Sequence, residues 1–424
     1  GIFVETSLGH GKGGSSDTTR LILLSASDGT EVKQLHHDPR CDIDDVFISD
    51  KDHTVEAVVV DYDKPEIVVL EESIRADIEA LKKLGDGKIN IVSRSHDEEK
   101  WMVSLMPDNS SPKFFLYSRS TKSAQLLFLA RPELEKFTLV SMSSHKIPTS
   151  DGETLVGFLT LPAGVEPTKL PLVLLVHGGP WARDRWGWNP QAQWLSNRGY
   201  ACLMTNFRAS TGYGKRWLHL GDAQWGATMQ QDLTDAVGWA VKEGYADPDK
   251  VAIMGGSYGG YAALAGLAFT PTLYCCAVDI VGPAHLRTLL QSTPSYWKPL
   301  KKMLALRVGN VEEDDELNRK ASPYYHADKM VRPLIIAQGA NDPRVKKAES
   351  DQMVSAMHKI GTKLEYVLYS DEGHGFARPA NRIDFYQRAE KFLATHAGGR
   401  TGLDESEQVA GNTAQILDPA ALAI

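Results

Sequence analysis

Cysteine is scarce in this 424-residue chain: Cys41, Cys202, Cys275 and Cys276 are all it has. None stands in a C-x-x-C spacing, and all four read as free thiols. A disulfide scaffold is therefore not expected, and free thiols suit a reducing compartment and a cytoplasmic location. Long apolar runs are missing too. No stretch reaches the ~18 residues of a membrane-spanning helix. The amino terminus shows no basic segment followed by an apolar core, so neither a membrane nor a signal peptide is expected. Position 1 is Gly rather than Met, which leaves open a processed chain or a piece of a longer one. Positive charge is in short supply: 46 Lys and Arg face 54 Asp and Glu, a formal net charge of −8. Without a basic surplus a surface neutralises few phosphates, which argues against nucleic acid as a partner. The glycine cluster at 9–14 is no phosphate loop, because Lys12 is followed by Gly13 instead of Ser or Thr and no strand precedes it. No metal or other cofactor is called for.

What is present suits a soluble globular protein, with 42% hydrophobic and 24% charged residues. The length is comfortable for two domains. Residues 1–140 read as β. Strand-like runs fall at 21–25, 46–49, 55–61, 66–70, 89–93, 101–106, 114–118 and 125–129, separated by turns such as Ser27-Asp28-Gly29 and Pro107-Asp108-Asn109. One helix is expected at 74–84. The stretch 47–61 is echoed at 92–106, an offset of about 45 residues, within the ~40–50 of propeller blades. A sandwich would give similar strands. This half also holds only about three blades, where a propeller has roughly 4–8. The expectation is thus an incomplete propeller or something smaller.

Beyond residue 140 the pattern changes. A hairpin is predicted at 146–162, turning at Asp151-Gly152. Apolar strands at 170–176, 201–207, 250–254, 277–281, 333–338 and 364–369 then alternate with helices at 190–197, 228–242, 258–268, 346–360 and 382–396. Continuous apolar strands between amphipathic helices predict a mostly parallel sheet covered on both faces. This α/β domain spans 141–400, and 401–424 reads as a surface tail.

The strand at 250–254 runs into Gly255-Gly256-Ser257-Tyr258-Gly259 and then a helix. That is a G-x-S-x-G elbow in the strand–turn–helix setting of α/β-hydrolase folds. The turn must be sharp, leaving the Ser257 hydroxyl exposed at the sheet edge, and only glycine leaves room beside it. The bland alternative is a glycine-rich turn with an idle serine, and the partners weigh against it. Asp342 follows the strand at 333–338, and His374, between two glycines, follows the strand at 364–369. Serine, acid, histidine is the chain order of this fold. Ser257 would be the nucleophile, His374 the proton shuttle and Asp342 the group that fixes the imidazole. Asp371 and Glu372 are alternative acids, but they stand too near His374 to curl back easily. His145, His219 and His358 lack a strand-end loop. For the oxyanion, the backbone N–H of Tyr258 is one donor, and the loop His177-Gly178-Gly179-Pro180, after the strand at 170–176, is placed to supply a second. Trp181, Trp186 and Trp188 follow, lining a pocket or packing against the other domain.

These stretches, together with Asn206-Phe207-Arg208-Ala209-Ser210-Thr211-Gly212-Tyr213-Gly214, Asn341-Asp342-Pro343-Arg344 and Gly373-His374-Gly375-Phe376, resemble the prolyl oligopeptidase family of serine peptidases over roughly 141–400. The resemblance implies an α/β-hydrolase domain beneath an amino-terminal β-propeller that restricts access to short peptides. It implies that Gly179 gives the second oxyanion N–H and that Arg344 binds a substrate carbonyl; a solvated loop arginine is the alternative. His177 resembles the acylaminoacyl-peptidase branch, since the dipeptidyl peptidase and prolyl oligopeptidase branches tend to carry a tyrosine there. An acidic pair that reads a peptide amine is not locatable. Glu71-Glu72 fits by composition only and reads better as a solvated helix start.

The expected function is hydrolysis of short peptides, with an aminopeptidase or acylaminoacyl-peptidase preference. A carboxylesterase with the same triad is the alternative. A non-catalytic scaffold would show a broken triad, and all three members are present. The expected partner is a short peptide or acyl ester, and a homo-oligomer stays open.

Overall fold

Hydrogen-bonded pairing, more than hydrophobic alternation, shapes the amino-terminal part of the computed structural model, which describes residues 1–9, 14–362, 364–402 and 409–422. Most of the glycine cluster at 9–14, and 403–408 and 423–424 of the tail, lie outside the described residues. Three antiparallel sheets follow one another in sequence order. The first joins β1 (Ile2–Thr6), β2 (Arg20–Leu24) and β3 (Glu31–His37). The second joins β4 (Ile43–Ile48), β5 (Val55–Asp61) and β6 (Pro65–Val69). The third joins β7 (Lys88–Arg94), β8 (Lys100–Met106), β9 (Lys113–Ser118) and β10 (Ser123–Leu129). β1 and β3 were not predicted. Neither contains a buried residue, and each is recruited by backbone pairing to β2, so no apolar pattern marks them.

Successive sheets share cores. Phe47 and Val59 of the second sheet meet Ile89, Trp101, Phe115 and Tyr117 of the third, together with Ile78 and Leu81 of the helix Arg75–Lys82. Leu21 of the first sheet joins Ile43, Val55 and Val58 of the second. β5 is buried at every residue because it feeds both clusters. Arg94 is held between Glu56 at 2.6 Å and Glu98 at 3.3 Å, with all three side chains almost wholly buried. Such a pair costs desolvation, so its removal on one side only would be strongly destabilising. Glu71 and Glu72 are exposed at a helix start, and Glu72 pairs with Arg75.

The carboxy-terminal sheet has nine strands among the described residues: β11 (Met142–Pro148), β12 (Thr154–Thr160), β13 (Leu170–Val176), β14 (Ala201–Asn206), β15 (Ala246–Gly256), β16 (Cys276–Ile280), β17 (Leu334–Gly339), β18 (Leu364–Tyr369) and β19 (Ala414–Ile416). Their order is β11-β12-β14-β13-β15-β16-β17-β18-β19. The run from β14 to β18 is parallel, with β12 and β19 antiparallel beside it. β13, β14, β16 and β17 are buried almost throughout, and β15 is buried from Val251 to Gly255, as strands covered on both faces must be. All the helices expected here form, within a few residues at their ends. The tail differs from the expectation of a pattern-free surface segment, since β19 adds a strand to the sheet. It was illegible because three residues, two of them exposed, carry no periodicity.

The chain divides into two compact units. One comprises 1–145 with 185–193 and 211–218; the other comprises 146–184, 194–210 and 219–424. Trp186 belongs to the first, where its indole donates to the Met142 carbonyl at 2.7 Å and the Lys64 ammonium lies 4.6 Å over its ring. Among the described residues no helix is long and apolar enough to cross a membrane, and no group of three or more His, Cys, Asp or Glu could hold a metal.

Trp101 is fully buried and donates to the Glu98 carbonyl at 2.9 Å. Trp101→Ala should remove about 3–5 kcal/mol of stability from the β-rich unit. Urea unfolding followed by circular dichroism checks this; an unchanged midpoint contradicts the packing described.

Candidate active site

β15 ends at Gly256, and the helix Tyr258–Phe269 begins two residues later. Ser257 makes the whole turn, at φ 59° and ψ −118°. A positive φ on a residue with a Cβ is strained by roughly 1–3 kcal/mol and persists only where the surroundings fix it. Here the Ser257 N–H donates to the Ile280 carbonyl at 2.8 Å, and its carbonyl accepts from Tyr261 N–H at 3.0 Å. Glycine at 259 is obligatory: a Cβ there would lie 2.1 Å from the Val176 carbonyl oxygen. The backbone N–H of Tyr258 is among the first of its helix, where amides have no intrahelical acceptor and the helix presents its positive end.

β17 and β18 are parallel neighbours, so their carboxyl ends share one sheet edge with the end of β15. The loops that follow are bound backbone to backbone. Ala340 N–H donates to Tyr369 O and Asn341 N–H to Glu372 O, both at 2.9 Å. A Cβ at Gly339 would stand 2.1 Å from Gly373 O, so only glycine permits this approach. The result brings His374 Nδ1 to 2.7 Å from Asp342 Oδ2. A carboxylate only accepts, so Nδ1 carries a proton. The other oxygen of Asp342 accepts the N–H groups of Arg344 at 2.8 Å and Val345 at 3.0 Å, which locks the carboxylate. The Asp342 side chain is completely buried and that of His374 is 16% exposed. Asp371 and Glu372 are engaged elsewhere, with Thr413, Asn381 and Arg378 and with the amides of 377 and 378. Ser257 and His374 share the edge, and no hydrogen bond joins them among the described residues. Catalytic contacts are commonly loose before substrate binds.

The third loop follows β13. A Cβ at Gly178 would stand 3.4 Å from Ser257 Cβ and 3.0 Å from Gly256 O, so this loop lies against the elbow. Gly179 is exposed at φ 122°. The His177 ring lies 2.8 Å from the Gly178 carbonyl through Nδ1 and 3.0 Å from the Ser210 hydroxyl through Nε2. Since a carbonyl cannot donate, Nδ1–H donates to Gly178 and Nε2 accepts from Ser210. The ring stacks on Phe207 at 4.4 Å, and Phe207 on Tyr258 at 5.2 Å. Burial pushes His177 down to about 4. Phe207 and Ser210 were not singled out individually from the sequence, although they lie inside the motif stretch 206–214. Arg208, buried beside them, is bonded through backbone and guanidinium to Asp232 and also to Asp151, which fixes that stretch. Arg344 is exposed, two residues after Asp342.

Known proteins resemble the chain over most of its length. The prolyl oligopeptidase family profile matches residues 186–400. The chain is 45% identical over 393 residues to dipeptidyl aminopeptidase BIII of Pseudoxanthomonas mexicana, covering 91% of this chain and 57% of the relative. It is 39% identical over 414 residues to dipeptidyl peptidase family member 6 of Caenorhabditis elegans, covering 92% and 56%. The chain thus spans a little over half the length of these curated relatives. Among solved structures, Pyrococcus horikoshii acylaminoacyl peptidase shares the fold at a TM-score of 0.72 and 18% identity, covering 93% of this chain and 62% of that one.

The low affinity of His177 for a proton has a consequence for stability. The unfolded chain takes up that proton near its ordinary value of 6.5 and the folded chain only near 4. Stability contributed here is therefore present above 6.5 and lost as pH falls through this window. His177→Gln should flatten the dependence of unfolding free energy on pH between about 6.5 and 4 relative to the parent chain. Parallel urea titrations check it, and identical slopes contradict the buried neutral imidazole.

Proposed function

The chain belongs to the prolyl oligopeptidase family, and on that premise we propose that it is a serine peptidase releasing short amino-terminal fragments, dipeptides foremost, from short peptides. The hydrogen bond between Asp342 and His374, on the sheet edge that also carries strained Ser257, is the observation that carries this reading. His374 Nε2 takes the proton from Ser257 Oγ as the oxygen attacks the scissile carbonyl. Asp342 keeps the proton on Nδ1 and stabilises the imidazolium. The negative charge on the tetrahedral oxygen is met by the N–H groups of Tyr258 and Gly179, each worth roughly 3–4 kcal/mol in such a site. Collapse expels the amine, which His374 protonates, and leaves an acyl-enzyme on Ser257. Water then attacks by the reverse proton route.

The substrate class rests on the names of the relatives. His177 favours the acylaminoacyl-peptidase branch, whereas the two curated relatives are named for dipeptidyl release. His177 spends both nitrogens on Gly178 and Ser210, so it holds the oxyanion loop rather than donating to the oxyanion. Its side chain therefore does not separate the two substrate classes, and the 45% identity makes dipeptide release the preferred reading. Arg344 is the group proposed to bind a substrate carbonyl beside the scissile bond.

Steady-state rates on a dipeptidyl anilide, an N-acetylaminoacyl anilide and a p-nitrophenyl ester test the proposal. The dipeptidyl anilide should be cleaved fastest of the two anilides, and Ser257→Ala should lower its turnover by about four to six orders of magnitude. Ester turnover without any anilide cleavage would contradict the peptidase reading. Arg344→Ala should lower kcat/KM for anilides about ten-fold or more while ester hydrolysis changes little. Equal losses on both would remove that role from Arg344.

A further inference from the structure

His374 sits at the tip of a three-residue turn in which Gly375 N–H donates to Gly373 O at 3.0 Å. The loop around it is closed by Glu372, whose buried carboxylate accepts the N–H groups of Ala377 and Arg378, each at 2.9 Å. Glu372 is in turn held by Asn381 Nδ2 at 2.8 Å, and Asn381 is completely buried in the first turn of the helix Pro379–Ala397. Asn381 Nδ2 also reaches Asp371 Oδ1 at 2.9 Å. The far end of this network lies in the tail. Thr413 N–H donates to Asn381 Oδ1 at 2.8 Å, and the Thr413 hydroxyl donates to Asp371 Oδ1. That hydroxyl is the largest influence holding the Asp371 carboxyl below its usual range. β19 anchors the segment, with Ala414 opposite Tyr369, the last residue of the strand that leads into the His374 loop. Leu417 N–H donates to Tyr366 O at 3.0 Å.

We propose that the carboxy-terminal segment 412–417 is a strap that positions His374, with Thr413 as the positioning residue acting through Asp371, Asn381 and Glu372. The inference rests on the triad reading above. Asp371 and Glu372 both accept from Asn381, Ala377 and Arg378 join it through Glu372, and the strap bonds Asn381 Oδ1 and Asp371 Oδ1. Displacing a catalytic group by about 1 Å can cost on the order of 10²-fold in rate, so a partial loosening should cost about ten-fold. The loss should fall on kcat, because Thr413 is not placed to touch substrate.

Thr413→Val keeps the shape and the backbone N–H and removes only the hydroxyl; Thr413→Ser restores it. In the full chain, Thr413→Val should lower kcat about ten-fold for peptide and ester alike with KM unchanged. The acidic limb of its kcat/KM profile should shift to lower pH, because a poorly aligned Asp342 stabilises the imidazolium less. Thr413→Ser should recover most of the rate. Parental kcat and pH limb in Thr413→Val, beside an inactive Ser257→Ala, would overturn the strap alone. Activity retained in Ser257→Ala would overturn the triad reading and the strap with it.

Discussion

Backbone has to touch backbone for this site to exist. His374 reaches Asp342 only because the loops after β17 and β18 are joined amide to carbonyl, with glycine at 339 where any side chain would strike the Gly373 carbonyl. The same constraint recurs at the elbow, where glycine at 259 lets the helix start pass the end of β13. Parallel neighbours deliver their loops to one edge, and small residues let those loops close to hydrogen-bonding distance. Chemistry then follows from register: Gly255 faces Asp279 across the sheet, and the next strands present Asp342 and His374 on the same side.

Around that edge the polar groups are committed to fixed partners. Asp342 gives one oxygen to two amides and the other to His374. His177 is occupied at both nitrogens and stacked on Phe207, which itself stacks on Tyr258. The two acids nearest His374 in sequence serve its loop instead of its ring. A neutral, pinned His177 suits an oxyanion loop, since an imidazolium there would give up its bond from Ser210.

Much of this was legible in the sequence because parallel strands and the helices between them carry strong, opposite periodicities. Ser257 is marked by its glycine elbow, Asp342 and His374 by strand-end positions in the chain order of the fold, and glycines flagged the close approaches. Illegible were the interactions without pattern. β1 and β3 pair through backbone and contain no fully buried residue. β19 is three residues long. Ser210 bonds to His177 and Phe207 packs on it, which neither spacing nor composition encodes. Reach sets Asp342 apart from Asp371 and Glu372 in the sequence; what the sequence does not show is that the nearer acids are consumed in closing the loop, while Asp342 contacts His374.

The central claim is that Ser257 is a nucleophile activated by the pair behind it. Its most direct test is to react the protein with a fluorophosphonate and locate the adduct by peptide mass spectrometry. A single phosphonyl group on Ser257, formed far more slowly in His374→Ala, is the result this account predicts. An adduct on another residue, or none on a folded and otherwise competent chain, would contradict it.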